Sequence, residues 1–395
     1  MREDAITVSL DLEGFRVVET KEREDRVEAV IETVVGAGCC PRCGHGTLQG
    51  KGRRTRVLRD LPVRGKPVYL RWRRRTFRCA ACRHRFVERH EAIPPRARAM
   101  PRFERYLYER TRAGLIPLSH VARTEQVSFY RAQRAHTRGA HGDIDDRPPG
   151  HLPVLSVDEA SFKKRQDYNT TICAPGAGRA IELVRGRDGV GFAVWAGMLP
   201  APVRRGVEVF CADMWEPYHE VAAAAFPNAL RVADRFHVQR HANRALDAVR
   251  RELQRGPGRG WRRDLFGARW ALLRAAEELT AVDRERLVTL FAHYPDLELA
   301  HGLKEGLRDF YRDSAPHTAG PVLVAWCQRA ETSGLPSFVK LAATVRQWKP
   351  EILGYFHGRV TNAFAEGVTN KIKCIKRIGF GYRNFERFRE RVLVA

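Results

Sequence analysis

Three aspartates each follow a short apolar or β-branched run of the kind that forms a buried strand: Asp158 in VLSVD, Asp213 in VEVFCAD and Asp234 in LRVAD. A fourth acid, Glu366, lies in the polar, helix-like stretch AFAEGVTNKIK. Carboxylates at the ends of buried strands are costly to desolvate unless they are paired or hold a cation. In a chain of formal net charge +24, acids converging on one sheet edge point to Mg²⁺ held for phosphoryl chemistry on a polyanion. Several residues compete for these roles. Glu159 adjoins Asp158, but successive strand residues face opposite ways, so only one of the two reaches the metal face. Glu331 and Glu351 rival Glu366. Neither sits in a block as basic as NKIKCIKR, where Asn370, Lys371, Lys373, Lys376 and Arg377 are candidates to grip the strand being cut. His237 and His241 are spaced i, i+4 on a helix, with no second ligand pair evident nearby. His237 is therefore read as an ordering or DNA-contacting residue, with a purely structural role as the alternative. Trp215 is open between stacking on a base and simple packing.

The elements that must position these acids follow from the pattern after residue 150. Strands are predicted near 153–162, 167–174, 179–185, 207–213 and 229–234, with helices at 189–199 and 216–226. Three meandering strands followed by alternating helix and strand is the order of an RNase H-like fold, in which the first and fourth strands are neighbours. That order would set Asp158, ending strand one, beside Asp213, ending strand four. Residues 237–345 show helical patterns and no convincing strand, so an all-α insertion separates the fifth strand from the helix bearing Glu366.

The N-terminal region carries a different chemistry. Cys40-Pro-Arg-Cys43 and Cys79-Ala-Ala-Cys82 are two CxxC turns that together offer four thiolates to one structural Zn²⁺. Cys39 is a fifth thiol beside the first pair. Residues 51–78 between the pairs contain twelve Lys or Arg and a single acid, Asp60. In VYLRWRRRTFR, alternation places Val68, Leu70 and Trp72 on one strand face and Arg71 and Arg73 on the other. With Arg74 these are candidate DNA-backbone contacts, against the alternative of a charged, solvated edge strand. From Pro101 the pattern becomes helical, with Phe103, Tyr106, Leu107 and Arg110 at a 3.6-residue period. Next, Leu118, Val121 and Ala122 suit a short helix, Thr124–Gln126 a turn, and Ser128 the N-cap of a second helix carrying Arg131, Arg134 and Arg138. This matches a helix-turn-helix with a basic recognition helix, although an ordinary helical packing unit gives a similar pattern. The run HGDIDDRPPGHLP reads as a linker.

Lys and Arg number 70 against 46 Asp and Glu, an excess that favours a nucleic-acid partner. Nine Cys in a chain of 395 residues argue against a disulfide framework. The charged start Met1-Arg-Glu-Asp has no apolar signal core, and no run is long enough to span a membrane, so the chain is expected in the cytoplasm.

SVDEASFKK, CADMWEPYHEV, VADRFHVQRHANRALDAVRRE and TNAFAEGVTNKIKCIKRIGFGYRNFERFR together resemble, in order, the blocks of DDE transposases of the bacterial ISL-three insertion-sequence family. The resemblance spans nearly the whole chain. It implies an N-terminal zinc ribbon and helix-turn-helix, Asp158, Asp213 and Glu366 as the Mg²⁺- (or Mn²⁺-) binding catalytic triad, and Asp234 with His237 as an auxiliary D-x-x-H motif. The expected architecture is multidomain α+β and α/β. Residues 1–95 form a β region with the zinc ribbon, 96–140 the helix-turn-helix and 141–150 a linker. Residues 151–236 with 346–395 form an RNase H-like catalytic core, and 237–345 the helical insertion. The expected function is a DNA transposase, acting as a dimer or larger, that binds terminal inverted repeats, cleaves the ends and joins 3′-hydroxyls to target DNA. The alternatives are a catalytically inactive DNA-binding regulator and a structure-selective nuclease of the same fold. The paired N-terminal DNA readers favour sequence-specific ends.

Overall fold

The structure, a computed structural model, describes residues 10–146, 150–163, 167–255 and 260–395. The chain forms two compact units. The first comprises residues up to 147 together with 378–380 and 384–395, and the second the remainder.

The first unit is built on a sheet of β1 (Phe15–Glu22), β2 (Val27–Thr33), β3 (Leu48–Val63), β4 (Lys66–Cys79) and β5 (Arg85–Val87), in the order β1-β2-β4-β3 with β5 on β4. The long β3–β4 hairpin turns through Arg64 and Gly65, both at positive φ (50° and 75°). A two-residue turn of this kind matches the twist of its flanking strands. Val27, Ala29 and Ile31 alternate into the core opposite Val68, Leu70 and Trp72, as the period-2 pattern requires. Arg71 is exposed on the other face of β4.

Three helices follow: α1 (Pro101–Arg112), α2 (Leu118–Thr124) and α3 (Phe129–Asp145). Phe103, Leu107, Val121 and Ala135 form their shared core. Ser128 caps α3 by accepting from the Arg131 N–H at 3.2 Å, and Gln126 makes the left-handed turn before it (φ 51°). α3 continues through Asp145, so residues 141–145, expected as linker, are helical. Residues 147–149 of that expected linker lie outside the described residues. Glycine at 139 lets α3 approach α1 closely, because a Cβ there would lie 2.2 Å from the Tyr108 ring.

The second unit holds the sheet of β6 (Val154–Lys163), β7 (Asp167–Ala174), β8 (Arg179–Arg185), β9 (Val209–Ala212) and β10 (Leu230–Ala233), ordered β10-β9-β6-β7-β8. β6, β7 and β8 form an antiparallel meander, and β9 and β10 run parallel to β6 and to each other. The first and fourth strands are thus neighbours. One sheet face packs Phe210 and Ala212 against Phe192 of α4 (Val190–Met198) and Tyr218 of α6 (Glu216–Ala225), with the short α5 (Ala201–Arg205) between those helices. The intervening Cys211 joins a second core with the helices that follow. Burial on both faces explains why these strands are near-continuous apolar runs.

Those helices are α7 (Arg235–Arg255), α8 (Gly260–Gly267), α9 (Arg269–Leu273), α10 (Ala281–His293), α11 (Pro295–Asp313), α12 (Pro316–Glu331), α13 (Pro336–Gln347) and α14 (Lys349–Gly354). No strand interrupts them among the described residues. α15 (Ala363–Ile378) carries Glu366, and α16 (Phe385–Leu393) ends the chain. Although expected with the catalytic segment, α16 lies in the first unit. Its Arg391 guanidinium, buried and 2 % exposed, donates to the carbonyls of Thr111, Gly114 and Ile116 at the end of α1 (2.6–3.1 Å). Glu390 accepts from Thr137 (2.8 Å) and from His141 (3.0 Å) of α3.

Candidate active site and metal centre

Four sulfurs meet in the first unit. Cys40 Sγ lies 3.6 Å from Cys82 Sγ, Cys43 Sγ lies 3.6 Å from Cys79 Sγ, and all four lie within 4.8 Å of one another. The two CxxC turns are built alike. Cys40 N donates to His45 O and Gly44 N to Cys40 O; Cys79 N donates to His84 O and Arg83 N to Cys79 O. Gly44 (φ 73°) and Arg83 (φ 57°) occupy the same left-handed position, so each turn closes as a knuckle with both thiols on one side. A four-thiol cluster is the donor set of a structural zinc. Cys39 is exposed and outside the cluster.

In the second unit, parallel pairing of β9 with β6 stops at Ser156–Cys211. Past that register, β6 continues only against β7, and Asp158 stands mid-strand, opposite Thr171. The expectation that Asp158 ends its strand is thus corrected: the strand runs on to Lys163 because β7 supplies its ladder. Asp213 follows β9 and Asp234 follows β10. The backbone N–H of Asp234 reaches Ala212 O at 2.8 Å, which keeps these strand ends level.

Asp234 is 1 % exposed and fully engaged. It accepts from His237 Nδ1 at 3.1 Å and from the backbone N–H of Asn362 at 3.1 Å. The Asn362 amide in turn donates to Val157 O at 2.9 Å, one residue before Asp158. Asn362 O accepts from the backbone N–H of Glu366 (2.9 Å). Lys376 Nζ donates to Ser161 O at 2.6 Å. α15 is therefore pinned to β6 near both of its ends.

Atoms of Asp234, His237 and Glu366 that can bind a metal lie within 4.8 Å of one another. Asp158 and Asp213 flank this cluster at longer range, close enough for their charges to act on it. Burial raises the Asp213 carboxyl pKa; His237 offsets this, and Asp158 and Asp234 add to it. Glu366 is also raised, by burial and then by Asp234, with His237 opposing and Asp158 adding. Burial disfavours a charge on His237, but its bond to Asp234 and the charges of Asp213, Asp234 and Asp158 outweigh that and raise its pKa. One buried oxygen of Asp213, Oδ1, has no hydrogen-bond partner. Mutually repelling carboxylates beside an orphaned buried oxygen are the donor set a hard divalent cation satisfies.

The rival acids lie elsewhere in the ion-pair pattern. Glu331 is held by Arg346, and Glu351 pairs with Arg231 at 3.3 Å. Glu159 pairs with Arg187 at 3.7 Å, and its pKa is raised by burial and then by Asp213. His241 is half-buried and not part of the ligand cluster. Trp215 donates from Nε1 to Arg187 O at 2.7 Å, and the Arg187 guanidinium lies over both Trp215 (5.5 Å) and Tyr168 (4.5 Å).

Among the candidate DNA contacts, Arg134, Arg138, Lys371, Lys373 and Arg377 are exposed. Asn370 accepts from Lys373 at 3.3 Å. Arg131 is paired with Glu104, Arg71 with Glu28 (3.5 Å), and Arg73 lies near Glu19. Arg74 is engaged within the ribbon: it donates twice to Glu88 O and lies over Trp72. Sequence reading missed Asn362 and Arg187, and also Arg308, Arg312 and Arg359, which line one cleft with Glu366. For Asn362 the available signal was its place four residues before the candidate acid.

A family model described as transposase, of the ISL3 group of DDE proteins, matches residues 155–392. The chain belongs to the ISL3 transposase family. A second model, the zinc-finger of transposases IS204/IS1001/IS1096/IS1165, matches residues 36–82 and, with the four-thiol cluster, supports structural zinc in this transposase. The transposase for insertion sequence element IS1001 of Bordetella parapertussis is 24% identical over 352 residues, covering 88% of this chain and 86% of that protein. The transposase for insertion sequence element IS1557 of Mycobacterium tuberculosis (strain CDC 1551 / Oshkosh) is 28% identical over 257 residues, 59% of this chain and 58% of that protein. Among the described residues no helix is long and apolar enough to cross a membrane.

Proposed function

We propose that this transposase binds the terminal inverted repeats of an insertion sequence, hydrolyses a phosphodiester at each element end, and joins the freed 3′-hydroxyls to target DNA. The observation that carries the reading is the convergence of acids from separate segments: Asp213 after β9 and Glu366 on α15 each feel the charges of Asp158 on β6, Asp234 and His237. Adjacency of the first and fourth strands supports an RNase H-like core. In that core these three carboxylates would hold Mg²⁺ or Mn²⁺, which when bound polarises the phosphate and lowers the pKa of attacking water. Asp234 keeps His237 oriented and favours its charged form and, through Asn362, fixes the start of the Glu366 helix.

The short helix α2, the left-handed turn at Gln126 and the Ser128-capped α3 support a helix-turn-helix, with Arg134 and Arg138 on its exposed side. The basic β4 face would take phosphates. Two ends must meet one target, so the active form is a dimer or larger. Incubating the full chain with repeat-bearing DNA and Mg²⁺ tests the reading. Nicking at the element ends is expected. Tight, metal-independent binding without any nicking would leave a regulator instead.

A further inference from the structure

Beside the acid cluster, in the second unit, lies a cleft of about 540 Å³. Its lining includes the acids Glu366 and Asp234, Arg235 of α7, Arg308 and Arg312 of α11, and Arg359 from the segment preceding α15. Phe236, in the first turn of α7, lines it and is 54% exposed. Tyr311 also lines it, and its buried hydroxyl has no hydrogen-bond partner.

The cations here are not equivalent. Arg308 is paired with Glu277 and Glu305, and Arg312 with Asp309 and Asp313. Arg235 donates to the Tyr355 hydroxyl and lies over that ring. Neither Arg235 nor the exposed Arg359 has a carboxylate partner among the described residues. Arg359 is held in a left-handed conformation (φ 50°), which a non-glycine residue keeps only when its surroundings impose it.

A recess of this volume falls in the range of roughly 300–1,000 Å³ that takes one small ligand. A duplex, whose major groove alone is about 12 Å wide, does not enter it. An exposed aromatic face flanked by arginines is the platform on which unpaired nucleotides stack, whatever their base. We infer that this cleft holds a single nucleotide unpaired from the duplex next to the phosphate being cut, its base on Phe236 and its phosphate on Arg235 and Arg359. The inference rests on the function proposed above, since it places the reacting phosphate at Glu366. The helical insertion, through α11, thereby forms part of the substrate site. Opening the terminal base pair becomes a step in engaging the end, easiest where that pair is weak.

Repeat-end duplexes carrying 2-aminopurine at single positions around the cut phosphate, bound by the full chain in Ca²⁺, read this site without cleavage. A several-fold fluorescence rise is expected at one flanking position and not three or more pairs away. Phe236→Ala and Arg359→Ala should abolish that rise while melting at the wild-type temperature, because both side chains are exposed. In Mg²⁺ the same variants should cut fully paired ends at least tenfold more slowly and regain most of the rate on ends mismatched at that pair. Unchanged fluorescence on saturated wild-type complexes, or an equal loss on paired and mismatched ends, would overturn the nucleotide site. Failure of the wild-type chain to nick any repeat DNA would instead count against the proposed function, whatever the fluorescence.

Discussion

Replacing Arg391 with Met should loosen the first unit at a point far from Arg391 in sequence. The guanidinium is 2 % exposed and donates to Thr111, Gly114 and Ile116 carbonyls at 2.6, 3.1 and 2.9 Å. Thr111 lies in the last turn of α1, at the negative end of its dipole, and Gly114 and Ile116 lie in the segment that follows. Methionine keeps most of the volume but strands the Gly114 and Ile116 carbonyls, while Thr111 O keeps the Gly114 N–H at 3.1 Å. At roughly 1–3 kcal/mol for each of these two buried unsatisfied groups, and less than additively, the loss is about 3–4 kcal/mol. Lysine, a point charge, restores about half by reaching one or two carbonyls. Native-state hydrogen exchange read by peptide separates this from a general effect. Amides in α1 should exchange roughly 100-fold faster or more, since each 1.4 kcal/mol is tenfold, while those in α11 stay unchanged. Exchange in α1 within about threefold of wild type would refute the view that α16 is a structural part of the first unit.

Elemental analysis should give about one zinc per chain, and Cys79→Ser with Cys82→Ser should remove it; retained zinc would exclude the four-thiol site. Acid should weaken the first unit through His136. Burial, and then the charge of Arg391, push this histidine down to about 3, so below pH ~6.5 the unfolded chain takes up a proton that the folded chain refuses. Its contribution is complete above pH ~6.5 and declines towards pH 3, a loss of about 2 kcal/mol at pH 5. Urea unfolding of wild type and His136→Gln at pH 7.5 and 5.0 checks this, and an equal pH dependence in the two would contradict it.

The parts that were legible in the sequence are those fixed by short-range physics. Alternation in VYLRW set the buried face of β4, Ser128 marked the start of α3, and apolar runs ending in acids located β6, β9 and β10. What stayed hidden depends on partners far along the chain. FERFRERVL shows an amphipathic helix but not that Arg391 and Glu390 meet α1 and α3. The run HGDIDD looks like a linker until Tyr108 packs on Gly139 and donates to Asp143, carrying α3 through it. At the candidate site, residue types named the acids. Nothing local revealed that Asn362 links Asp234 to β6, or that Arg187 lies between Tyr168 and Trp215. Arg74, one of many basic residues in its strand, is spent on Glu88 and Trp72.

The central claim is that Asp158, Asp213 and Glu366 form the cutting site. The most direct measurement is nicking of repeat-end DNA in Mg²⁺ or Mn²⁺ by Asp158→Asn, Asp213→Asn and Glu366→Gln, each at saturating DNA. Loss of one charged ligand removes several kcal/mol of transition-state stabilisation, so rates should fall roughly 10³-fold or more with end binding unchanged. Glu331→Gln and Glu351→Gln, whose carboxylates are held by Arg346 and Arg231, should still cut. Near-normal nicking by Glu366→Gln together with a dead Glu331→Gln or Glu351→Gln would contradict the account.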